Sequence, residues 1–154
     1  MSGICGIIHC EADRPVNQVI LRSMNNAMVH RGPDDDGYHL EPGVGLAMRR
    51  LAVIDLAGGQ QPMSNEDGSI WVVFNGEIYN HVEIRKRLAA KGHILRTSCD
   101  TEVLTHLYED EGDRFPEFLN GMFAIALWDR TKRRLLLVRD RIGMKSLYST
   151  CMNE

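Results

Sequence analysis

Runs of apolar and polar positions divide the chain into short elements. Gly3 to Ile8 is a continuous apolar run, which predicts a buried strand. After Pro15, Ile20, Met24, Ala27 and Met28 recur on one helical face. A helix is expected from there to about His30, stopped by Gly32-Pro33. Gly43 to Asp55 reads as strand interrupted by Arg49-Arg50, and Ala57 to Gly68, rich in Gly, Gln, Pro, Asn and Asp, as a long loop. Ile70-Trp71-Val72-Val73-Phe74 is the strongest strand signal, β-branched and aromatic throughout. Asn80 is placed to cap a helix that carries Ile84 and Leu88 one turn apart and stops at Gly92. Asp100 is placed to cap another, with Val103, Leu104 and Leu107 as its apolar face. Met122 to Trp128 and Leu135 to Val138 form a predicted hairpin around Asp129 to Arg133. Strands outnumber helices, and the helices fall into two separated groups, so the expected class is layered α+β.

Composition narrows the function classes. A chain of 154 residues with 44% hydrophobic and 25% charged positions is ordinary globular material, read as one domain. A formal charge of −3 offers no basic field for nucleic acid. No apolar stretch approaches the roughly 18–20 residues of a membrane span, and no signal peptide is visible, so a cytoplasmic chain is the default. Cys5, Cys10, Cys99 and Cys151 make no Cys-x-x-Cys pair and are expected as free thiols, Cys5 and Cys10 as small buried hydrophobes. The six histidines are scattered without ligand spacing, and no metal site is expected.

Candidate chemistry sits at a few positions, each with a plainer reading beside it. Ser2 directly follows the initiator methionine, which is normally removed before a small residue. A free α-amine, with an unperturbed pKa of about 7.7–8.0, could then accept the proton of its own residue's hydroxyl. By itself, position 2 reads as an ordinary terminal serine. Asn75-Gly76 follows the strongest strand; its side-chain amide and backbone N–H could stabilise an oxyanion, or could simply form a turn. Adjacent strand residues face opposite ways, so Arg49-Arg50 sends one guanidinium into a cleft to hold a carboxylate, or lies at a solvated edge. Asp100 is either a helix cap or a partner for a ligand ammonium.

Taken together, ordered segments carry a resemblance. Ser2-Gly3-Ile4-Cys5-Gly6, His30-Arg31-Gly32-Pro33-Asp34, Arg50 to Asp55, Gln61-Pro62-Met63, Asn75 to Asn80, Asp100-Thr101-Glu102-Val103, Gly121-Met122-Phe123-Ala124 and Arg139 to Gly143 span nearly the whole chain. In that order they resemble the motifs of class II glutamine amidotransferases, most nearly the glutaminase domains of glutamine-hydrolysing asparagine synthetases. The resemblance implies an N-terminal-nucleophile hydrolase fold: a four-layer αββα sandwich with two antiparallel sheets. It implies hydrolysis of the glutamine side-chain amide to glutamate and ammonia, for transfer to an acceptor such as aspartate. Position 2 would be the nucleophile and its α-amine the base, with Asn75 and Gly76 the oxyanion hole. Arg50 would bind the substrate carboxylate within a segment that includes Leu51, Ala52, Val53 and Ile54. Asp100 would bind the ammonium with Glu77 alongside, and the loop around Gln61-Pro62 would close over the substrate. The implied partners are L-glutamine and a synthetase domain or subunit, with a homodimer possible and neither nucleic acid nor membrane. No cofactor is implied for this domain; ATP and Mg²⁺ would serve the synthetase.

Two departures qualify the resemblance. The family nucleophile is cysteine, and a hydroxyl needs fuller base assistance than a thiol, so this serine form is expected to be impaired. Cys5 is a poor substitute, because Cys5-Gly6-Ile7-Ile8-His9 lacks the glycine that Gly6 supplies four residues after Ser2. The chain also shows no Ser/Gly-rich pyrophosphate loop, so it reads as an amidotransferase domain over 1–154, truncated at its C-terminus, without the synthetase domain. Two further readings stand beside this one. The first is a catalytically inactive glutamine-binding or scaffolding remnant that supports a partner synthetase. The second is a serine-type amidase for another amide, disfavoured by the amino-acid head-group chemistry of Arg50 and Asp100.

Overall fold

The apolar run at Ile70 seeds a longer strand than its sequence suggests. A computed structural model describes residues 2–51 and 58–152, and in it β5 runs Ile70–Ile78, through Asn75-Gly76 rather than ending before them. Preceding it are β1 (Gly3–Ile8), α1 (Gln18–Asn26), β2 (Asp35–Glu41), β3 (Val44–Arg50) and the short β4 (Met63–Ser64). After it come α2 (His81–Ala90), α3 (Glu102–Glu111), a 3-10 segment (Gly112–Phe118), β6 (Gly121–Asp129) and β7 (Arg134–Arg139). The strands form two antiparallel sheets, ordered β1-β3-β2 and β4-β5-β6-β7.

Side-chain alternation builds the layers. Ile70, Val72 and Phe74 on β5, with Phe123, Ile125 and Leu127 on β6, share one core with α2 and α3.

 Val73 on β5 and Ala126 and Trp128 on β6 face the other way, against Val44, Leu46 and Met48 of β3. On the far side of β3, Gly45 lies under Leu21 and Val16, so closely that an added Cβ would sit 2.9 Å from each. The order is therefore α1, sheet, sheet, α2 with α3: the αββα sandwich expected of the class.

Several local expectations change. The buried face of α1 is Leu21 and Asn25, while Ile20 and Met24 are exposed. Asn25 fits because its Nδ2 donates to the Met48 carbonyl at 3.2 Å and to Tyr38 Oη at 3.0 Å. The helix ends at Asn26 and is capped by Asn17 Oδ1, which accepts from Val19 and Ile20 N–H. β1 is an edge strand rather than a buried one, with Ile8 and Cys10 exposed and Cys5 only half-buried. The predicted strand over Gly43 to Asp55 is β3 from Val44 to Arg50, entered by a Pro42-Gly43 turn in which Gly43 takes φ 86°; residues 52–57 lie outside the described residues. Asn80 occupies the N-cap position of α2, but its side chain makes no capping bond to the helix. Its amide donates to the Phe118 carbonyl and accepts from Asn120 N–H, tying the 3-10 segment to the start of β6. Among the described residues, no helix is long and apolar enough to cross a membrane.

Candidate active site

One end of the interface between the sheets is polar. Strand parity explains why. Ser2 has the parity of Ile4, which packs into the inter-sheet core, and Arg50 has that of Met48. Across the gap, Asn75 and Glu77 have the parity of Val73. Where the apolar pairs stop, these side chains line a cavity of about 120 Å³. A single water needs roughly 10–15 Å³ on this scale, so the space suits a small polar molecule. Leu51, Gly76 and Asp100 line it as well. Ala52, Val53 and Ile54 of the expected substrate segment lie outside the described residues.

Each wall is held from behind. Leu51 N–H donates to Ser2 Oγ at 3.2 Å, and Arg31 Nε donates to the Ser2 carbonyl at 3.2 Å. Of the arginine pair, Arg50 is buried at the cavity, while Arg49 turns outward and donates to Asn26 Oδ1 at 2.5 Å. Gly76 pairs with Phe123 inside the β5–β6 ladder, not beyond a strand end. A Cβ there would fall 2.0 Å from the Met122 carbonyl oxygen, so only glycine lets β6 pass this close. Asp100 is not the cap of α3, whose N-cap is Thr101. Its Oδ2 instead accepts from Ile78 N–H at 3.0 Å, pinning the loop before α3 to the end of β5. Gln61 bridges the same two elements: its Oε1 accepts from Phe74 N–H at 2.7 Å and its Nε2 donates to Thr101 Oγ1 at 3.1 Å.

A family model described as "Glutamine amidotransferase domain" matches residues 1–154. The chain is a class II glutamine amidotransferase domain. It is 48% identical to asparagine synthetase [glutamine-hydrolyzing] 2 of Bacillus subtilis (strain 168) over 97% of this chain and 20% of that protein. It is 45% identical to asparagine synthetase [glutamine-hydrolyzing] 1 of Arabidopsis thaliana over 96% of this chain and 25% of that one. The chain thus spans a fifth to a quarter of these relatives' lengths. Among solved structures, glutamine phosphoribosylpyrophosphate (PRPP) amidotransferase from B. subtilis superposes with a TM-score of 0.61 at 22% identity, over 84% of this chain and 35% of that one. The allosteric regulatory enzyme of purine biosynthesis gives 0.53 at 27% identity, over 68% and 25%. Together with the two antiparallel sheets, these neighbours make the fold that of an N-terminal-nucleophile hydrolase.

The cavity is electrostatically divided. Burial raises the Asp100 carboxyl above its ordinary value, against the Ile78 N–H and His81, which lower it. Burial also raises Glu77, and the neighbouring Asp100 charge adds to it, while His81 and Lys145 oppose. Carboxylates crowded this way favour a cation between them. Lys145, buried at the cavity wall, carries no signal in the sequence pattern, although it stands two residues after the Arg139 to Gly143 motif. Cys99 and Thr101 also line the space. Cys5 does not line it, and burial pushes its thiol up to about 11, so it is protonated and unreactive near neutrality.

Asp140 fixes where Lys145 sits. Its carboxylate accepts from Phe123, Met144 and Lys145 N–H at 3.1, 2.8 and 3.0 Å. Burial works against its charge, but these backbone donors win and hold its pKa at about 2. Replacing Asp140 with alanine is expected to leave buried donors unpaired and cost about 3 kcal/mol, roughly a 10 °C fall in Tm by calorimetry. The sign with pH follows from a depressed folded pKa. Asp140 stabilises fully above the unfolded value of about 3.9, and that stabilisation is lost as pH falls toward about 2. The alanine variant should therefore show a shallower loss of Tm across that acid window than the parent.

Proposed function

We propose that the cavity binds L-glutamine and that Ser2, after removal of Met1, attacks its side-chain amide. The reading rests on one observation: a hydroxyl, an amide donor and charges of both signs line a single small cavity. Arg50 suits the α-carboxylate through two parallel hydrogen bonds, and Asp100 with Glu77 suits the α-ammonium. The side-chain amide is then directed at Ser2 and Asn75-Gly76. Ser2 Oγ bonds to the amide carbon while its proton passes to the α-amine, and the carbonyl oxygen becomes an oxyanion held by the Asn75 amide and Gly76 N–H. Collapse breaks the C–N bond, the amine returns the proton to the leaving group, and ammonia departs. Water then hydrolyses the ester to glutamate and frees Ser2.

Ammonia would pass to a synthetase domain or subunit for transfer to an acceptor such as aspartate. ATP and Mg²⁺ belong to that partner. The setting that fits its free thiols is the cytoplasm. Calorimetry with L-glutamine and two truncated analogues tests the head-group assignment. Glutamine should bind; the analogue lacking the α-carboxylate and the one lacking the α-amine should each bind at least about 100-fold more weakly. Equal binding of all three would overturn it.

The hydroxyl at position 2 favours a second reading, in which this form binds glutamine and supports a synthetase without turning it over. Binding without release of ammonia, persisting after a thiol is introduced, would select that alternative.

A further inference from the structure

Away from the cavity, three segments distant in sequence bring nitrogen and oxygen donors to one point. His93 follows α2, His106 lies on α3, and Glu66 lies in the turn between β4 and β5. The two imidazoles face each other through Nδ1, 3.2 Å apart. His106 Nδ1 lies 3.1 Å from Glu109 Oε2 and 3.7 Å from Glu66 Oε2, and His93 Nδ1 lies 3.6 Å from Glu109 Oε2. Ligand atoms around a tetrahedral zinc ion, with bonds of about 2.0–2.2 Å, stand about 3.3–3.6 Å apart. The four measured separations fall on or beside that range.

The surrounding contacts orient these donors. His93 Nε2 lies 3.0 Å from Asp110 Oδ1, and a carboxylate in this role only accepts, so in the neutral ring that can ligate a metal the proton belongs on Nε2. That leaves the Nδ1 lone pair directed at the cluster, in the carboxylate–histidine arrangement that supports metal ligands. Asn65 Nδ2 donates to Glu109 Oε1 at 2.8 Å and turns the other oxygen toward both rings. His106 is 2% exposed, so its ring is fixed by packing, while Glu66 stands at the surface and leaves an entry path.

We propose that His93, His106 and Glu66, with Glu109 as the fourth donor, form a structural site for a divalent cation of zinc type. The site is closed and lacks the open position that catalysis by a bound metal requires. Its effect is to tie the β4–β5 turn and the segment leading toward Asp100 to α3. The same segment is already fastened there by Glu102, which accepts from Arg96 and Thr97 N–H.

The test is calorimetric titration of the metal-stripped full chain with zinc chloride, alongside cobalt(II) absorption spectra. One zinc per chain should bind and raise Tm, and cobalt should give the intense visible bands of tetrahedral coordination without thiolate charge-transfer bands. His93→Asn should weaken binding at least 100-fold. Glu66→Gln, at a surface position that folding tolerates, should weaken it 10-fold or more, as should Asp110→Asn by releasing the His93 ring. Absence of saturable binding in the folded chain would overturn the proposal and leave the rings joined by an N–H···N bond alone. Undiminished binding in folded His93→Asn and Glu66→Gln, or thiolate bands from cobalt, would overturn it equally by placing the ion on cysteines.

Discussion

Cysteine at position 2 is expected to raise glutamine hydrolysis by about 10²-fold or more over the serine form, measured as ammonia and glutamate released together. The scaffold around the position needs no change. Leu51 N–H points at the side-chain oxygen and Arg31 holds the residue's carbonyl. The Leu51 donor that steadies a hydroxyl would stabilise a thiolate at the same place. A few per cent of a thiol is already ionised near neutral pH, whereas the serine hydroxyl must surrender its proton wholly during attack. The effect should appear in kcat, because the head-group contacts proposed for Arg50 and Asp100 are untouched. Ser2→Ala should bind glutamine and release nothing. Mass spectrometry must first show Met1 removed, since a blocked amine cannot serve as the base. A folded, processed Ser2→Cys chain that binds glutamine and releases no more ammonia than the serine form would sink the hydrolytic reading.

How far the sequence spoke for itself depended on whether a residue's role was local. The strands at Ile70 and Met122 and the α3 face of Val103, Leu104 and Leu107 follow from periodicity, because burial on one side decides them. Strand parity likewise makes one of Arg49 and Arg50 face inward, and Arg50 is the one at the cavity. What the pattern hid was tertiary. Asp35 to Glu41 is too polar to read as a strand, yet β3 pairs with it throughout and His39 stacks on Trp71 at 4.0 Å. Leu21 and Asn25 displaced the more apolar Ile20 and Met24 on α1 because Asn25 answers a strand carbonyl, which hydrophobicity cannot register. Asn80 and Asp100 looked like caps, but both spend their side chains on distant backbone. Local capping preference lost to partners far along the chain. His93 and His106 are 13 residues apart, a spacing without meaning until α2 and α3 pack together.

Asp100→Asn should separate binding from stability. The asparagine oxygen can still accept from Ile78 N–H, so the anchor between the α3 loop and β5 survives. Lost is the negative charge proposed to meet the substrate ammonium. Removing one partner of a buried charge pair costs about 2–5 kcal/mol, so glutamine affinity should fall roughly 100-fold or more. The ligand-free chain should nevertheless melt at the same temperature or higher. In the parent, burial raises Asp100, and burial together with Asp100 raises Glu77, so keeping both ionised opposes folding. The sign with pH is the reverse of that at Asp140. A carboxyl raised on folding weakens the native state progressively as pH climbs from the unfolded value, about 4, through the folded one. The gap in Tm between variant and parent should therefore open in favour of asparagine between acid and neutral pH. Excess glutamine should close it again, by stabilising the parent alone. A variant that binds glutamine as tightly as the parent would remove Asp100 from the head-group site. One that melts well below it at neutral pH would show the carboxylate to be a structural member rather than a charge held ready for a ligand.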